Sequence, residues 1–260
     1  MKPVLLNIGD FQVQSYGAMA AIGFLIAVIW CSYNGQKKGY PRNQMIDFCI
    51  ACILAAIIGA RIGYVIVEWP SYINNPLDIL NVRQGGLVWY TGLIGGFIGG
   101  TFYVRWKKLD FWWMADTIMV SVCFSHVLGR IGCYLYGCCY GMAIESSHSL
   151  YWMAVRFPGH TVDRLPIQLI SSFSLLIICF VLIYLYSKNI RRGTVFVFYI
   201  GGYGLLRCIL EFFRADPRGE FLSLPISTSQ GIGILAILSA IGLYLLRPTE
   251  KQTTESPMSL

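Results

Sequence analysis

The feature that most constrains this chain is a series of apolar runs, each about 20 residues long, that recur along its whole length. The hydrocarbon core of a bilayer is about 30 Å thick and a helix rises about 1.5 Å per residue, so these runs have the length of membrane-spanning helices. Only 13% of the 260 residues are charged, which is about half the fraction in soluble domains. The pattern predicts an all-α integral membrane protein.

We place seven transmembrane helices in the sequence. The predicted spans are 16–33, 45–67, 87–104, 112–130, 166–186, 194–210 and 230–246. The glycines of TGLIGGFIGG at 91–100, in the third span, have the spacing of residues that allow two helices to pack closely.

The distribution of basic residues predicts the orientation of these spans. Eleven of the 20 Lys and Arg residues fall in the connections on one side: Lys37, Lys38, Arg42, Arg105, Lys107, Lys108, Lys188, Arg191, Arg192, Arg247 and Lys251. By the positive-inside rule this side is cytoplasmic, so the N-terminus faces outward and the C-terminus inward. The net charge of +7 then reflects topology and attraction to anionic lipids, and it requires no nucleic-acid partner.

The connections predict a simple domain organisation. We expect one seven-helix transmembrane domain over residues 1–246, with an extracytoplasmic head segment between spans four and five, and a polar cytoplasmic tail at 247–260. The composition of that tail favours disorder.

The charged residues toward the outer half of these apolar runs include Arg61, Arg130, Arg207 and Glu211. A charge near the bilayer centre costs at least about 2.5–3.5 kcal/mol. A single arginine can extend to the head groups, but three arginines in the outer half favour a shared polar cavity. Because a guanidinium donates a planar fork of N–H groups to phosphate, the cluster predicts binding of a phospholipid head group, with Arg207 and Glu211 able to pair four residues apart on one helix.

The sequence HVLGRIGCYLYGCCYG at 126–141 is unusual at the end of an apolar run. If the fourth span stays helical, His126, Arg130 and Cys133 form one stripe. One interpretation is a metal site of His126, Cys133, Cys138 and Cys139, although the spacing matches no common zinc template. A second is a soft-metal or thiol-redox site that uses Cys133, Cys138 and Cys139, with Cys138–Cys139 as a vicinal thiol pair. In a third, the arginine and glycines act and the cysteines tune the pocket, and in a fourth Cys133 is an acyltransferase nucleophile beside His126.

Five separated motifs occur in a recognisable order. They are SYGAM at 15–19, GARIGYV at 59–65, GGLVWYTGLIGG at 85–96, GRIG at 129–132 with Gly141, and YGLLRCILEFFR at 203–214. Together they resemble the motifs of the prolipoprotein diacylglyceryl transferases, membrane enzymes that modify bacterial lipoprotein precursors.

The resemblance implies a set of site residues. Those with implied catalytic roles are Arg130, Arg207, Glu211, Tyr16 and Tyr90, to which we add His126 by its spacing from Arg130. Those with implied substrate-binding roles are Arg61, Tyr64, Cys133, Cys138, Gly141, Tyr203 and Arg214.

Three of these positions depart from the family pattern. Tyr90 stands where the family has a histidine, Cys133 where it has an asparagine, and Cys138 where it has a glutamate. The chain therefore either performs the family reaction with altered groups or transfers a related lipid-derived group.

The reaction that the resemblance implies joins two membrane substrates. Phosphatidylglycerol donates its diacylglyceryl group to the lipobox cysteine of a prolipoprotein signal peptide, a thioether forms, and glycerol 1-phosphate leaves. No metal or other cofactor is implied. The expected location is the bacterial cytoplasmic (inner) membrane, where membrane lipids surround a multi-pass enzyme.

Overall fold

The computed structural model describes residues 1–9, 11–73, 75–81, 85–188, 190–214, 220–221, 224–247 and 249. Within these residues the chain is mostly helical. The helices are α1 (Ser15–Lys37), α2 (Arg42–Val67), the short α3 (Trp69–Tyr72), α4 (Trp89–Trp106), α5 (Phe111–Tyr136), α6 (Ile167–Ser187), α7 (Thr194–Glu211) and α8 (Thr228–Leu246). Single 3-10 turns occupy Pro76–Leu80 and Tyr151–Met153.

Two small antiparallel hairpins accompany the helices. Strands β1 (Val4–Ile8) and β2 (Phe11–Gln14) form the first, and β3 (Glu220–Phe221) and β4 (Leu224–Ser227) form the second. The first hairpin leads directly into α1 and the second into α8, so each ends where a long helix begins. The sequence analysis did not predict either hairpin.

Six of the long helices are apolar enough to cross a membrane, namely α1, α2, α5, α6, α7 and α8. The helix at the predicted third span, α4, has 18 residues and is not among these six. The prediction of a helical integral membrane protein is thus confirmed. Seven spans and the N-out, C-in orientation stay predictions.

The described chain folds into two compact units. The larger unit comprises Met1–Ala27 and the chain from Ala115 onward, and the smaller unit comprises Val28–Met114. The single domain predicted for residues 1–246 stays a prediction. The predicted polar tail at 247–260 lies outside the described residues except for positions 247 and 249.

In the smaller unit, α2 and α4 pack through glycines. A Cβ atom added to Gly95 would lie 2.4 Å from the carbonyl oxygen of Ala55 and 3.0 Å from the Cα of Gly59. Because a side chain at either glycine would separate the two backbones, this close approach requires both of them. The predicted packing role of the TGLIGGFIGG glycines is confirmed.

In the larger unit, α5 contacts both α1 and α7. A Cβ at Gly132 would lie 3.1 Å from the Cα of Tyr16, so α1 and α5 are in backbone contact there. Toward its other end α5 presents Asp116, which is fully buried. Its carboxylate accepts hydrogen bonds from the amides of Gly193 and Phe196 at 2.7 and 2.9 Å. Because these are donors at the start of α7, Asp116 ties α7 to α5.

The segment between α5 and α6, which is the predicted head segment, is folded. Isolated bridges join Ala143 and Val155 to Arg164, and a small core forms where Ile144 and Leu165 meet Leu210 of α7. This core packs the head segment against α7.

Candidate active site

The C-terminus of α5 brings two of the predicted cysteines together. The helix ends in a Schellman motif, in which the Cys138 amide donates to the Cys133 carbonyl at 3.1 Å and the Gly137 amide donates to the Tyr134 carbonyl at 3.2 Å. Gly137 adopts the left-handed conformation that this motif requires, with φ of 85°. In this motif the side chain three positions before the C-cap residue commonly contacts the side chain two positions after it. Cys138 therefore lies beside Cys133.

The third cysteine joins them through an uncommon backbone conformation. Cys139 has a φ of 62°, which non-glycine residues rarely adopt. The Sγ atoms of Cys133, Cys138 and Cys139 all lie within 4.8 Å of one another. Gln168 of α6 fixes the turn, because its side-chain amide donates to the Cys138 carbonyl at 2.7 Å. We call these three residues the thiol cluster.

The thiol cluster has uneven acidity. Hydrogen bonds from the Cys133 and Cys138 thiols lower the pKa of the Cys139 thiol, and the guanidinium groups of Arg214 and Arg130 act in the same direction. A hydrogen bond to Cys133 and another to Cys139 raise the pKa of Cys138. A negative charge in the cluster is therefore best held on Cys139.

A second set of polar residues lines one face of α7. Tyr199, Tyr203, Arg207 and Glu211 follow each other at intervals of four residues, which places them in a row along the helix. The rings of Tyr199 and Tyr203 stack with centroids 6.1 Å apart. The sequence analysis named three of the four and missed Tyr199, although the spacing of four was visible.

Arg207 and Glu211 form the buried ion pair that their spacing predicts. The Arg207 Nη2 atom lies 2.9 Å from Glu211 Oε2, and each side chain is 7% exposed. Ser229 accepts a hydrogen bond from Arg207 at 2.6 Å, and Ser227 donates one to Glu211 at 2.9 Å. Both serines come from the start of α8, so α8 completes the coordination of the pair.

The two serines were missed in the sequence, where a signal for one of them existed. Ser227 begins the sequence STSQ, and its side chain and that of Gln230 form a reciprocal capping box at the start of α8. Ser followed three residues later by Gln marks such a helix start. That Ser229 faces Arg207 depends on how α7 and α8 pack, which local sequence does not encode.

His126, on α5, contacts two tyrosines of α7. Its Nδ1 atom is 3.2 Å from the Tyr199 hydroxyl, and its ring meets the ring of Tyr203 edge-on at 4.7 Å. Both Arg130 and Arg207 are within electrostatic range of the imidazole. His126, Arg130 and Arg207 thus belong to one polar region that α5 and α7 share.

This arrangement corrects two alternatives considered from the sequence. The helix is continuous to Tyr136, so His126 and Cys133 do lie on one stripe, but seven residues of helix separate them by about 10 Å along the axis. Among the described residues, the group with metal-binding geometry contains the three cysteines without His126. The four-ligand metal site and the Cys133–His126 nucleophile pair are therefore not formed.

Arg130 connects the polar region to the thiol cluster. Tyr203, Cys133 and Cys139 all lie within electrostatic range of its guanidinium. Its Nε atom is buried without a hydrogen-bond partner among the described groups. Tyr16, at the start of α1, lies in the same neighbourhood and keeps 44% of its surface exposed.

Gly141 lies where three backbone segments approach each other closely. Its amide donates to the Leu165 carbonyl at 2.9 Å, and it forms an isolated bridge with Arg214. A Cβ at this position would lie 2.8 Å from the carbonyl oxygens of both Leu165 and Phe213. The glycine is thus needed for packing of the head segment against the end of α7.

Arg61, in the smaller unit, has all five of its N–H groups engaged by backbone carbonyls. The acceptors are Ile79, Gly85, Gly86, Asp78 and Asn81, at 2.6–3.1 Å. A guanidinium has five N–H donors, so this network leaves none for a phosphate oxygen. The expected contact between Arg61 and a lipid head group is therefore not supported. Arg61 instead has a structural role, because it holds the residues that follow α3.

The two tyrosines predicted in the smaller unit occupy different surroundings. The Tyr64 ring lies against the Arg61 guanidinium, 5.6 Å from its Cζ atom to the ring centroid. Tyr90, in the first turn of α4, is 37% exposed and packs edge-on against Trp89. Tyr64 thus belongs with the Arg61 network.

A family model described as prolipoprotein diacylglyceryl transferase matches residues 3–246. The chain belongs to this family. The resemblance drawn from the five motifs is confirmed, and the chain is an enzyme of the transferase class.

Relatives of similar length support the assignment. The chain is 35% identical over 252 residues to a phosphatidylglycerol–prolipoprotein diacylglyceryl transferase of Clostridium tetani, covering 97% of this chain and 100% of that protein. It is 32% identical to a protein of the same name from Clostridium kluyveri, covering 94% and 96%, and 29% identical to one from Bacillus cytotoxicus, covering 95% and 92%. Membership of the diacylglyceryl transferase family favours lipid transfer over a soft-metal or thiol-redox protein as the main function.

Proposed function

We propose that this chain transfers the diacylglyceryl group of phosphatidylglycerol to the lipobox cysteine of prolipoproteins. The thiol sulfur attacks the glyceryl carbon, a thioether forms, and glycerol 1-phosphate leaves. The names of the relatives support the two substrates. The observation that carries the proposal is that the buried Arg207 and the half-buried Arg130 both lie within electrostatic range of His126.

The arginines act on the leaving group. Negative charge grows on the phosphate as the carbon–oxygen bond breaks, and fixed guanidinium groups in a site of low dielectric stabilise such charge strongly. Arg130 and Arg207 carry permanent charge and donate in a planar fork that matches phosphate. We assign them to the phosphate of phosphatidylglycerol.

Glu211 is a positioning residue for Arg207 in this proposal. It holds one terminal nitrogen of the guanidinium, while Ser229 accepts from the same nitrogen. Tyr203 supports the second arginine, because it lies within electrostatic range of Arg130 and stacks on Tyr199.

The acceptor thiol must lose a proton before its sulfur attacks. Tyr16 is the candidate proton acceptor near Arg130, and His126 is the candidate near Tyr199. We propose Tyr90 as a further polar group that contacts substrate, in place of the histidine of the family pattern. Cys133 and Cys138 occupy two other departures from that pattern, and we place them at the peptide side of the site.

The remaining site residues shape the surroundings of the substrates. Gly141 keeps the head segment against the end of α7, and Arg214, which bridges to it, adds a positive charge near the thiol cluster. Arg61 and Tyr64 support the segment that follows α3.

We further propose a multi-pass enzyme of the bacterial cytoplasmic (inner) membrane, with seven spans, an outward N-terminus and an inward C-terminus. The clustering of basic residues on one side supports this orientation. The head segment and the arginines then lie at the extracytoplasmic leaflet. Donor lipid enters sideways from the membrane lipids, and the prolipoprotein enters with its signal peptide in the same bilayer.

Complementation tests the proposal. A bacterial strain depleted of its own diacylglyceryl transferase is supplied with this chain or with Arg207→Ala, and lipoproteins are examined for the diacylglyceryl thioether by mass spectrometry. We expect growth and thioether with the original chain and neither with the variant. Unmodified prolipoproteins despite membrane-inserted protein would contradict the proposal.

A further inference from the structure

The thiol cluster has the dimensions of a metal site. In tetrahedral zinc sites the Zn–S distance is about 2.3 Å, so that coordinated sulfurs lie about 3.8 Å apart. The Sγ atoms of Cys133, Cys138 and Cys139 already lie within 4.8 Å of one another. Small side-chain rotations are therefore enough to bring all three sulfurs onto one ion.

The backbone holds the three sulfurs in place before any ligand arrives. The Schellman motif sets Cys138 against Cys133 through the 3.1 Å bond between the Cys138 amide and the Cys133 carbonyl. Cys139 keeps a φ of 62°, a left-handed conformation that is unfavourable for a non-glycine residue. Such strain persists where the surrounding structure imposes it, and it concentrates at functional sites.

The ligand number favours an open site. Structural zinc sites are closed by four protein ligands, whereas catalytic ones keep three and leave a position for water or substrate. Within the described residues, the cluster comprises three sulfurs and includes no histidine or carboxylate. Three thiolates with one divalent ion carry a net charge of −1, and the nearby guanidinium groups of Arg130 and Arg214 balance it.

We propose that Cys133, Cys138 and Cys139 bind one zinc ion whose fourth position receives the acceptor thiol of the lipobox. This inference rests on the proposed transferase function and names how its nucleophile is activated. A thiol that coordinates zinc is deprotonated outright, and the zinc-bound sulfur is then the nucleophile. The expectation from the resemblance that no metal is needed does not take account of the three sulfurs.

The proposed step is the alkylation of a zinc-bound thiolate. The lipobox S–H bond breaks on coordination and its proton passes to water. The sulfur forms a bond to the glyceryl carbon of phosphatidylglycerol, the bond from that carbon to the phosphate oxygen breaks, and glycerol 1-phosphate leaves with the electron pair. The neutral thioether is a weak ligand and dissociates from zinc, which is neither oxidised nor reduced.

The proposal also accounts for two departures from the family pattern. Cys133 and Cys138 stand where the family has an asparagine and a glutamate, and Cys139 follows them directly. Loss of a carboxylate removes an acid–base group from the site. A zinc ion bound by the cysteines at these two positions deprotonates the acceptor thiol in place of that carboxylate.

The first experiment measures zinc in the purified full-length protein. After loading with zinc and removal of excess, we expect about one zinc per chain by mass spectrometry of the metal. Cys138→Ser and Cys139→Gly are expected to lower the bound zinc and the transfer rate at least about tenfold. Cys139→Gly is the variant that avoids a folding defect, because glycine adopts the φ of position 139 without strain. Cys52→Ser, in α2 of the smaller unit, is the matched control and keeps its zinc.

The second experiment follows the open position with cobalt as a spectroscopic substitute for zinc. A lipobox peptide with its cysteine is expected to change the sulfur-to-cobalt absorption band, and the same peptide with serine is not. A merely structural metal would give the same spectrum with both peptides, and that result would overturn the proposed role of the fourth position.

Two outcomes separate this inference from the proposed function. Full transfer activity in zinc-free protein, unchanged by a strong chelator, overturns the zinc site while the transferase function stands. Stoichiometric zinc and the expected cobalt response, without any transfer from phosphatidylglycerol, overturn the transferase function while the metal site stands.

Discussion

Arg207 and Glu211 pair at 2.9 Å one turn apart on α7, with each side chain 7% exposed. Two serines from the start of α8 complete the arrangement, Ser229 on the arginine and Ser227 on the glutamate. A buried ion pair is weak support for stability in itself, but removing one partner leaves a buried charge without compensation. Substitutions at these two positions therefore separate folding from function.

We expect Glu211→Ala to lower the free energy of unfolding by about 3–5 kcal/mol, because the Arg207 charge loses its buried partner. Chemical unfolding in detergent micelles measures the change. Glu145→Ala, at an exposed position of the head segment, is the control and changes it by less than about 0.5 kcal/mol. Replacing both partners by apolar residues, Arg207→Met with Glu211→Leu, is expected to restore most of the stability and none of the activity. Equal instability in the double variant would contradict this account.

Arg61→Lys tests the structural role of the five-carbonyl network. Lysine has three donors in place of five, and hydrogen bonds to a charged group contribute about 1.5–3 kcal/mol each. If two carbonyls lose their donors, the destabilisation is at least about 3 kcal/mol. We expect faster proteolysis near Asp78 and Asn81, measured by mass spectrometry of the fragments. A variant of unchanged protease resistance with a raised KM for phosphatidylglycerol would instead assign Arg61 to the head group.

Substitutions of Gly141 and Gly129 by alanine are expected to have opposite effects on stability. Gly141→Ala places a Cβ 2.8 Å from two backbone carbonyl oxygens, whereas a Cβ at Gly129 meets nothing within 4 Å. We expect the first substitution to lower the unfolding midpoint and the activity. Gly129→Ala, in the middle of α5, is expected to add about 0.5–1 kcal/mol of stability. Thermal unfolding of both variants checks the pair, and a tolerated Gly141→Ala would be incompatible with the packing described.

The head segment predicts a pH dependence through Asp163. Hydrogen bonds from Arg156 at 2.8 and 3.0 Å hold the pKa of the Asp163 carboxyl below its ordinary value. A lowered folded pKa contributes stability above the unfolded value of about 3.9, and this contribution is lost as the pH falls through the folded pKa. The original chain should thus unfold at a slightly higher temperature than Asp163→Asn at pH 7, and the difference should vanish in strong acid. Scanning both proteins from pH 7 to pH 2 measures it, and a difference independent of pH would assign it to another cause.

The helices were largely predictable, because the apolar period and length of each run are local properties. The helix α5 extends beyond the predicted span 112–130 to Tyr136, and it ends at Gly137, which adopts a left-handed conformation with φ of 85°. The two hairpins were missed because their strands are only two to five residues long.

Many individual site residues could be predicted from the sequence, but most of the contacts between them could not. Spacing alone predicted the Arg207–Glu211 pair. It did not predict that Arg61 binds carbonyls, because those acceptors lie 17–25 residues further along the chain. The grouping of Cys133, Cys138 and Cys139 was one of the alternatives considered from the sequence, but the close approach of the three sulfurs depends on the left-handed conformations of Gly137 and Cys139.

The most direct test of the central claim is transfer of labelled diacylglycerol by the purified protein. Phosphatidylglycerol labelled in its diacylglyceryl part is incubated in lipid vesicles with the protein and a lipobox peptide, and the product is identified by mass spectrometry. We predict a thioether on the cysteine of the peptide, equimolar release of glycerol 1-phosphate, and loss of both with Arg130→Ala or Arg207→Ala. A folded, membrane-inserted protein that leaves the peptide unlabelled, or that transfers equally well without both arginines, would contradict the account.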